Sequence, residues 1–177
     1  QMAQDETRAI WRLFYSRERR ALRRYEQRLW RQFDGAVFVS DYDRAAVGAP
    51  AEDRLGLATI PICAAPGDKT LVPANERPRT VLHLGTMFWP PNVQGMLWFA
   101  REVWPVVARE EPEARLVIIG RRPPAEVEAL AADPRIDVTG YVEDPTDYLA
   151  DTAAFLVPLH AGAGMRVKIM DAWSWGT

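Results

Sequence analysis

Thr80-Val81-Leu82-His83-Leu84-Gly85-Thr86 decides how this chain folds. The run is apolar, too short for a helix, and halted by a glycine, which is the signature of a buried strand. Similar runs recur at residues 115–120, 135–140 and 153–158, and helical stretches separate them. In the first stretch Val93, Met96, Leu97, Ala100, Val103, Trp104 and Val107 fall on one helical face, and Pro105 predicts a kink or a split. Pro123-Pro124 opens the second, where proline suits a first helical turn. Short apolar strands alternating with helices predict a parallel sheet with right-handed crossovers, a Rossmann-like α/β half.

Upstream the pattern changes. Pro61, Pro66, Pro73 and Pro78 punctuate a stretch with few periodic apolar residues, which reads as a linker. Residues 7–33 read as one long helix with Trp11, Phe14, Leu22, Tyr25 and Leu29 near a 3.6-residue period. Gly35 ends it, Ala36-Val37-Phe38-Val39 follows as a short buried strand, and Ser40-Asp41-Tyr42-Asp43 opens another helix. The expected organisation is a first unit at residues 1–58, a linker at 59–79, and the Rossmann-like unit at 80–177. A last helix from about Met165 to Trp175 stops where another strand is due, so the chain reads as cut at both ends.

Composition excludes several classes. Of 177 residues 48% are hydrophobic and 26% charged, as in ordinary globular proteins. Cys63 is the only cysteine, which rules out an internal disulfide and fits a reducing, cytoplasmic setting. No apolar run reaches the roughly 18 residues of a spanning helix. Net charge is −2, yet nine arginines lie between Arg8 and Arg31 against only Glu18 and Glu26. This is not the profile of a nucleic-acid binder. The basic amphipathic helix has two readings: it rests on anionic lipid, or its apolar stripe packs on a preceding domain. The second is favoured.

The loop after residues 153–158 carries the main binding signal. Gly162 and Gly164 let backbone approach an anion, and Arg166 and Lys168 follow in a first helical turn. Two cations there oppose the helix dipole, which an anionic ligand would offset. The bland alternative is a pair of solvated charges. Asp41-Tyr42-Asp43 mimics a metal motif, but Ser40 with Asp43 three residues on is better read as a helix cap. His83 reads as a hydrogen-bonded core residue, and His160 borders the glycine loop. No nucleophile set, Walker lysine or G-x-G-x-x-G fingerprint is present.

Five segments in order resemble a known family: Leu84-Gly85-Thr86-Met87-Phe88-Trp89-Pro90-Pro91-Asn92, Ala114-Arg115-Leu116-Val117-Ile118-Ile119-Gly120-Arg121, Gly140-Tyr141-Val142-Glu143-Asp144, the run from Pro158 through Gly162, Gly164, Arg166 and Lys168 to Ala172, and residues 8–47. Together they are similar to the retaining glycosyltransferases of family 4 (glycosyl transferases group 1), which have the GT-B fold. The resemblance implies the end of an N-terminal domain followed by a truncated nucleotide-sugar-binding domain, inactive alone. It implies sugar transfer from a nucleotide diphosphate donor, with retention and no metal or other cofactor, to an acceptor that can be lipid-linked or a polysaccharide.

By that resemblance Gly85, Thr86, Gly162, Gly164, Arg166 and Lys168 face the donor diphosphate, Asp171 the ribose, and Val142 the base. Tyr141 reads as packing rather than stacking. Relatives often carry an Arg and a Lys after the Gly85 turn, where this chain has Phe88-Trp89-Pro90-Pro91, so Arg166 and Lys168 are expected to carry the phosphate charge. The first acidic residue of the family's Glu-x7-Glu pattern falls on Ala163, and Asp171 stands for the second. Asp171 has an alternative reading as an exposed partner of Lys168. A nucleotide-sugar 2-epimerase and a non-catalytic nucleotide-binding module are the competing functions.

Overall fold

The computed structural model describes residues 2–50, 56–64, 76–160 and 165–176. The chain divides into two compact units, Gln1–Ile62 and Cys63–Thr177.

The first unit begins with α1 (Met2–Leu29), closed by a 3-10 turn at Trp30–Gln32. Two strands follow, β1 (Ala36–Phe38) and β2 (Leu57–Thr59), with α2 (Asp41–Ala46) between them. The strands pair in parallel, Val37 opposite Ala58. Only one strand was expected here, because Leu57–Thr59 is too short to show alternation. The expected buried strand is corrected too: Val37 is 63% exposed. Ser40 caps α2 by accepting from the Asp43 amide at 3.1 Å, so the Asp-x-Asp look-alike is a helix start. Arg44 is buried and donates to the Pro50 carbonyl at 2.7 Å, tying α2 to the chain that leads into β2. On α1, Trp11, Phe14 and Tyr15 are exposed and touch one another ring to ring.

The second unit is the Rossmann-like half. β3 (Thr80–Leu84), β4 (Arg115–Ile119), β5 (Ile136–Gly140) and β6 (Ala154–Phe155) form a parallel sheet in the order β5-β4-β3-β6. The order reverses between β3 and β6, which makes the ends of these strands the topological switch point. Both sheet faces are covered. Leu116 and Ile118 pack with Met96, Phe99, Trp104 and Val127 on one side, while Val117 and Ile119 meet Leu149 on the other. A strand buried on both faces needs an unbroken apolar run, which Leu116-Val117-Ile118-Ile119 supplies.

The helices are α3 (Pro90–Trp98), α4 (Trp104–Glu110), α5 (Ala125–Glu128), α6 (Thr146–Ala150) and α7 (Val167–Ser174). The split expected at Pro105 occurs. A π-helical turn at Phe99–Val103 separates α3 from α4, and the Trp104 amide donates to the Phe99 carbonyl. The widened turn accommodates the proline ring and its missing N–H without ending the helical path. Buried Arg77 joins three segments: it donates to the Thr152 carbonyl at 3.0 Å and to the Trp175 carbonyl at 3.2 Å, at the C-terminal end of α7.

Candidate functional site

Three strands end in glycine side by side. The Gly85 amide donates to the Ile119 carbonyl at 2.9 Å, and the Gly120 amide to the Gly140 carbonyl at 2.8 Å. A Cβ on Gly120 would stand 1.8 Å from the Gly85 carbonyl oxygen, so only glycine permits this approach. At the end of β5 the register slips: Ile118 faces Val138, but Ile119 faces Gly140. This bulge, with Gly140 at φ +75°, turns Tyr141 and Val142 to the rim of the sheet.

A cavity of about 240 Å³ opens there, lined by Leu84, Gly85, Thr86, Ile119, Gly120, Arg121, Tyr141 and Val142. Gly85, Thr86 and Val142, singled out from sequence, therefore line one cavity. It is smaller than the roughly 300–1,000 Å³ of a complete ligand pocket, so it suits one moiety of a larger molecule. Arg121 and Tyr141 form its gate, with the guanidinium 3.9 Å from the ring centroid. Tyr141 is 57% exposed and its ring packs against the Arg121 guanidinium at the surface. Arg121 was not singled out, although it follows a strand-ending glycine at the carboxyl edge of the sheet, where ligands of open α/β sheets gather.

Across the switch point, α7 brings in the cations. Arg166 is the N-cap residue of the helix rather than a member of its first turn, and Lys168 is the second helical residue. The Lys168 side chain crosses to β3. Its Nζ lies 2.8 Å from the place a Cβ on Gly85 would take, and it donates to Asn92 Oδ1 at 3.4 Å. Burial lowers the Lys168 pKa, and the nearby Arg166 charge lowers it further. An anion at this point would therefore meet two cations that repel each other in a partly desolvated place, where charge attraction is strong. Asn92 holds the notch together by donating from Nδ2 to the Thr86 carbonyl at 2.9 Å. It sits in the first turn of α3, just after Pro90-Pro91, and that context is the signal that marks it.

His83 is completely buried one residue pair below Gly85, in the middle of β3. Its Nδ1 is 2.9 Å from the Leu156 carbonyl, as expected of a hydrogen-bonded core residue. Its pKa is pushed down to about 4, first by burial and then by the Lys168 charge, against the opposing effect of the Leu156 carbonyl.

Other expected residues fall elsewhere. Asp171 is exposed on α7, and among the described residues no ion pair joins it to Lys168, whose ammonium turns to Asn92 instead. His160 is exposed and rests edge-on against Trp98 at 4.6 Å. Gly162, Ala163 and Gly164 lie outside the described residues. Among the described residues no group of three or more His, Cys, Asp or Glu is disposed to hold a metal ion. No helix among them is long and apolar enough to cross a membrane.

A Klebsiella pneumoniae protein described as an uncharacterized 44.6 kDa protein in the cps region is 30% identical over 100 residues, 52% of this chain and 26% of that protein. The crystal structure of TarM superposes with a TM-score of 0.55 at 14% identity, over 75% of this chain and 26% of TarM, which is a likeness of fold. The chain thus spans about a quarter of the length of these relatives. The family of glycosyl transferases group 1 matches residues 78–177, more than half of the chain and all of the sheet that carries the cavity and the Lys168 notch. The chain belongs to the glycosyl transferases group 1 family.

Proposed function

We propose that residues 80–177 form the donor side of a glycosyltransferase, which takes a sugar from a nucleotide diphosphate and transfers it with retention and without a metal. The observation that carries this reading is the Lys168 ammonium seated against Gly85, beside a cavity that Gly85 itself lines. The base occupies the cavity at Val142, behind the Arg121–Tyr141 gate. The diphosphate passes over Gly85 and Thr86 to Lys168 and Arg166; Gly162 and Gly164, expected from sequence to contact it, lie outside the described residues. Asp171 accepts from the ribose hydroxyls.

The chemistry required of these residues is electrostatic. As the sugar–phosphate bond breaks, negative charge grows on the departing diphosphate, and preplaced cations that meet it there lower the barrier by a few kcal/mol. No observation favours the 2-epimerase or the non-catalytic module over this reading.

Titration calorimetry of the full-length protein with UDP, GDP and ADP tests the proposal, followed by assay of donor hydrolysis. One nucleoside diphosphate should bind in preference to the others, and binding should weaken in K168A. Absence of binding by all three, or equal affinity in K168A, overturns it.

A further inference from the structure

His83 carries a feature that a core histidine does not need. The Leu156 carbonyl can only accept, so the hydrogen lies on Nδ1, and Nε2 presents a bare lone pair. That Nε2 is fully buried and has no hydrogen-bond partner among the described residues. A lone pair buried without a donor is costly, and apolar side chains of similar shape would avoid the cost. The atom is aimed at a definite place. The point a Cβ on Gly85 would take is 3.1 Å from His83 Nε2, 2.8 Å from Lys168 Nζ and 2.8 Å from Asn92 Nδ2.

We propose that His83 is a positioning residue for Lys168: the bare Nε2 of its neutral imidazole faces the ammonium across Gly85 and sets where that charge stands. The inference rests on the donor-side reading for its purpose, but not for its test. An ammonium has three N–H donors and no acceptor. Asn92 Oδ1 engages it from α3, and the negative end of the imidazole dipole attracts it from β3, which leaves one side of the ammonium for an anion. Only a neutral imidazole serves. Burial and the Lys168 charge, which hold the His83 pKa at about 4, keep it neutral at physiological pH. Arg166 on α7 is the other charge acting on Lys168, and it works in the opposite sense by favouring loss of the ammonium proton. His83 therefore offsets part of what burial and Arg166 do. A side chain on Gly85 would crowd both groups, since its Cβ would stand 3.1 Å from the imidazole nitrogen and 2.8 Å from the ammonium.

The test reads Lys168 directly in the full-length protein without nucleotide. The rate at which its amine is acetylated by acetic anhydride is followed against pH by mass spectrometry, in wild type, H83F and H83Q. Phe keeps the ring and removes both nitrogens, whereas Gln keeps an acceptor. The midpoint should fall by about one pH unit in H83F, a tenfold change in the proton equilibrium, and move back toward wild type in H83Q. Thermal unfolding of both variants separates this from loss of fold, and H83L, which also lacks an acceptor, replaces H83F if that variant does not fold. An unchanged midpoint in folded H83F, or the same fall in H83Q as in H83F, overturns the proposal. If the midpoint shifts as stated but UDP, GDP and ADP all fail to bind wild type, His83 positions Lys168 and the donor-side reading is the one that fails.

Discussion

Lys168 and Gly85 share one notch: the ammonium on α7 occupies the space that the glycine on the β3 turn leaves by having no side chain, with 2.8 Å between Nζ and the site of a Cβ. Gly85→Ala should therefore displace the lysine rather than strain the backbone. The same methyl would stand 2.8 Å from Asn92 Nδ2, which is tied to the Thr86 carbonyl and yields less easily. Nucleoside diphosphate affinity should fall about tenfold, equivalent to roughly 1.4 kcal/mol. Calorimetry on the full-length variant checks this, with the free nucleoside as a control that should not change.

The two cations of α7 should act on phosphate and not on base. A charge-assisted hydrogen bond is worth about 1.5–3 kcal/mol, so R166A/K168A should lose about 100-fold or more in nucleoside diphosphate affinity. Raising salt should weaken wild-type binding and leave the double variant almost insensitive. Equal salt dependence in both would show that the anion lies elsewhere.

The cavity makes a separable prediction. Val142 lines it together with Leu84 and Ile119, and its volume of about 240 Å³ leaves no room for both an indole and a base. Val142→Trp should reduce nucleoside and nucleoside diphosphate affinity alike, by tenfold or more. Inorganic pyrophosphate binding should be spared, which competition calorimetry would read.

Stability has its own lever in Arg77. Its guanidinium ties the approach to β3 to the Thr152 carbonyl before β6 and to the Trp175 carbonyl at the end of α7. A cation at a helix C-terminus is also favoured by the dipole. Arg77→Met keeps the volume but strips the donors from buried carbonyls, at a cost of about 2–3 kcal/mol. Urea unfolding of the full-length protein should show a lower midpoint with an unchanged slope.

Arg77 also marks where sequence reading ends. Leu116-Val117-Ile118-Ile119 is legible as a strand because burial on both faces demands an unbroken apolar run, and Pro105 is legible as a split because its ring cannot continue a regular helix. Gly85 and Thr86 are legible as candidates because they stand where a strand turns, and Val142 by family resemblance; all three line the cavity. Asn92, Arg121 and the orphan nitrogen of His83 are not, since their meeting depends on the order β5-β4-β3-β6, which no local pattern encodes. The exposure of Tyr141 is likewise not legible locally, since it follows the register slip at the end of β5. Arg77 lies in a stretch that reads as a linker, and its partners are 75 and 98 residues away.

The same buried imidazole fixes a pH dependence. His83 has a folded pKa of about 4, against 6.5 when unfolded. Between those values the unfolded chain binds the extra proton, so stability is complete above pH 6.5 and declines as pH falls toward 4. The difference is on the order of 3 kcal/mol, since each unit is worth about 1.4 kcal/mol. Among the described residues the Leu156 carbonyl meets Nδ1, and Lys168 Nζ and Asn92 Nδ2 lie close to the same Gly85 position as Nε2. None is a carboxylate that would offer the proton a counter-charge. Asp133, held down to about 2 chiefly by hydrogen bonds from Arg135, acts in a separate window below pH 4. Urea unfolding at pH 7.5 and 5 should therefore show a loss in wild type that H83F lacks. A wild-type stability that is flat across that interval would mean that the folded imidazole titrates at its unfolded value, and that burial beside Lys168 does not hold the proton off.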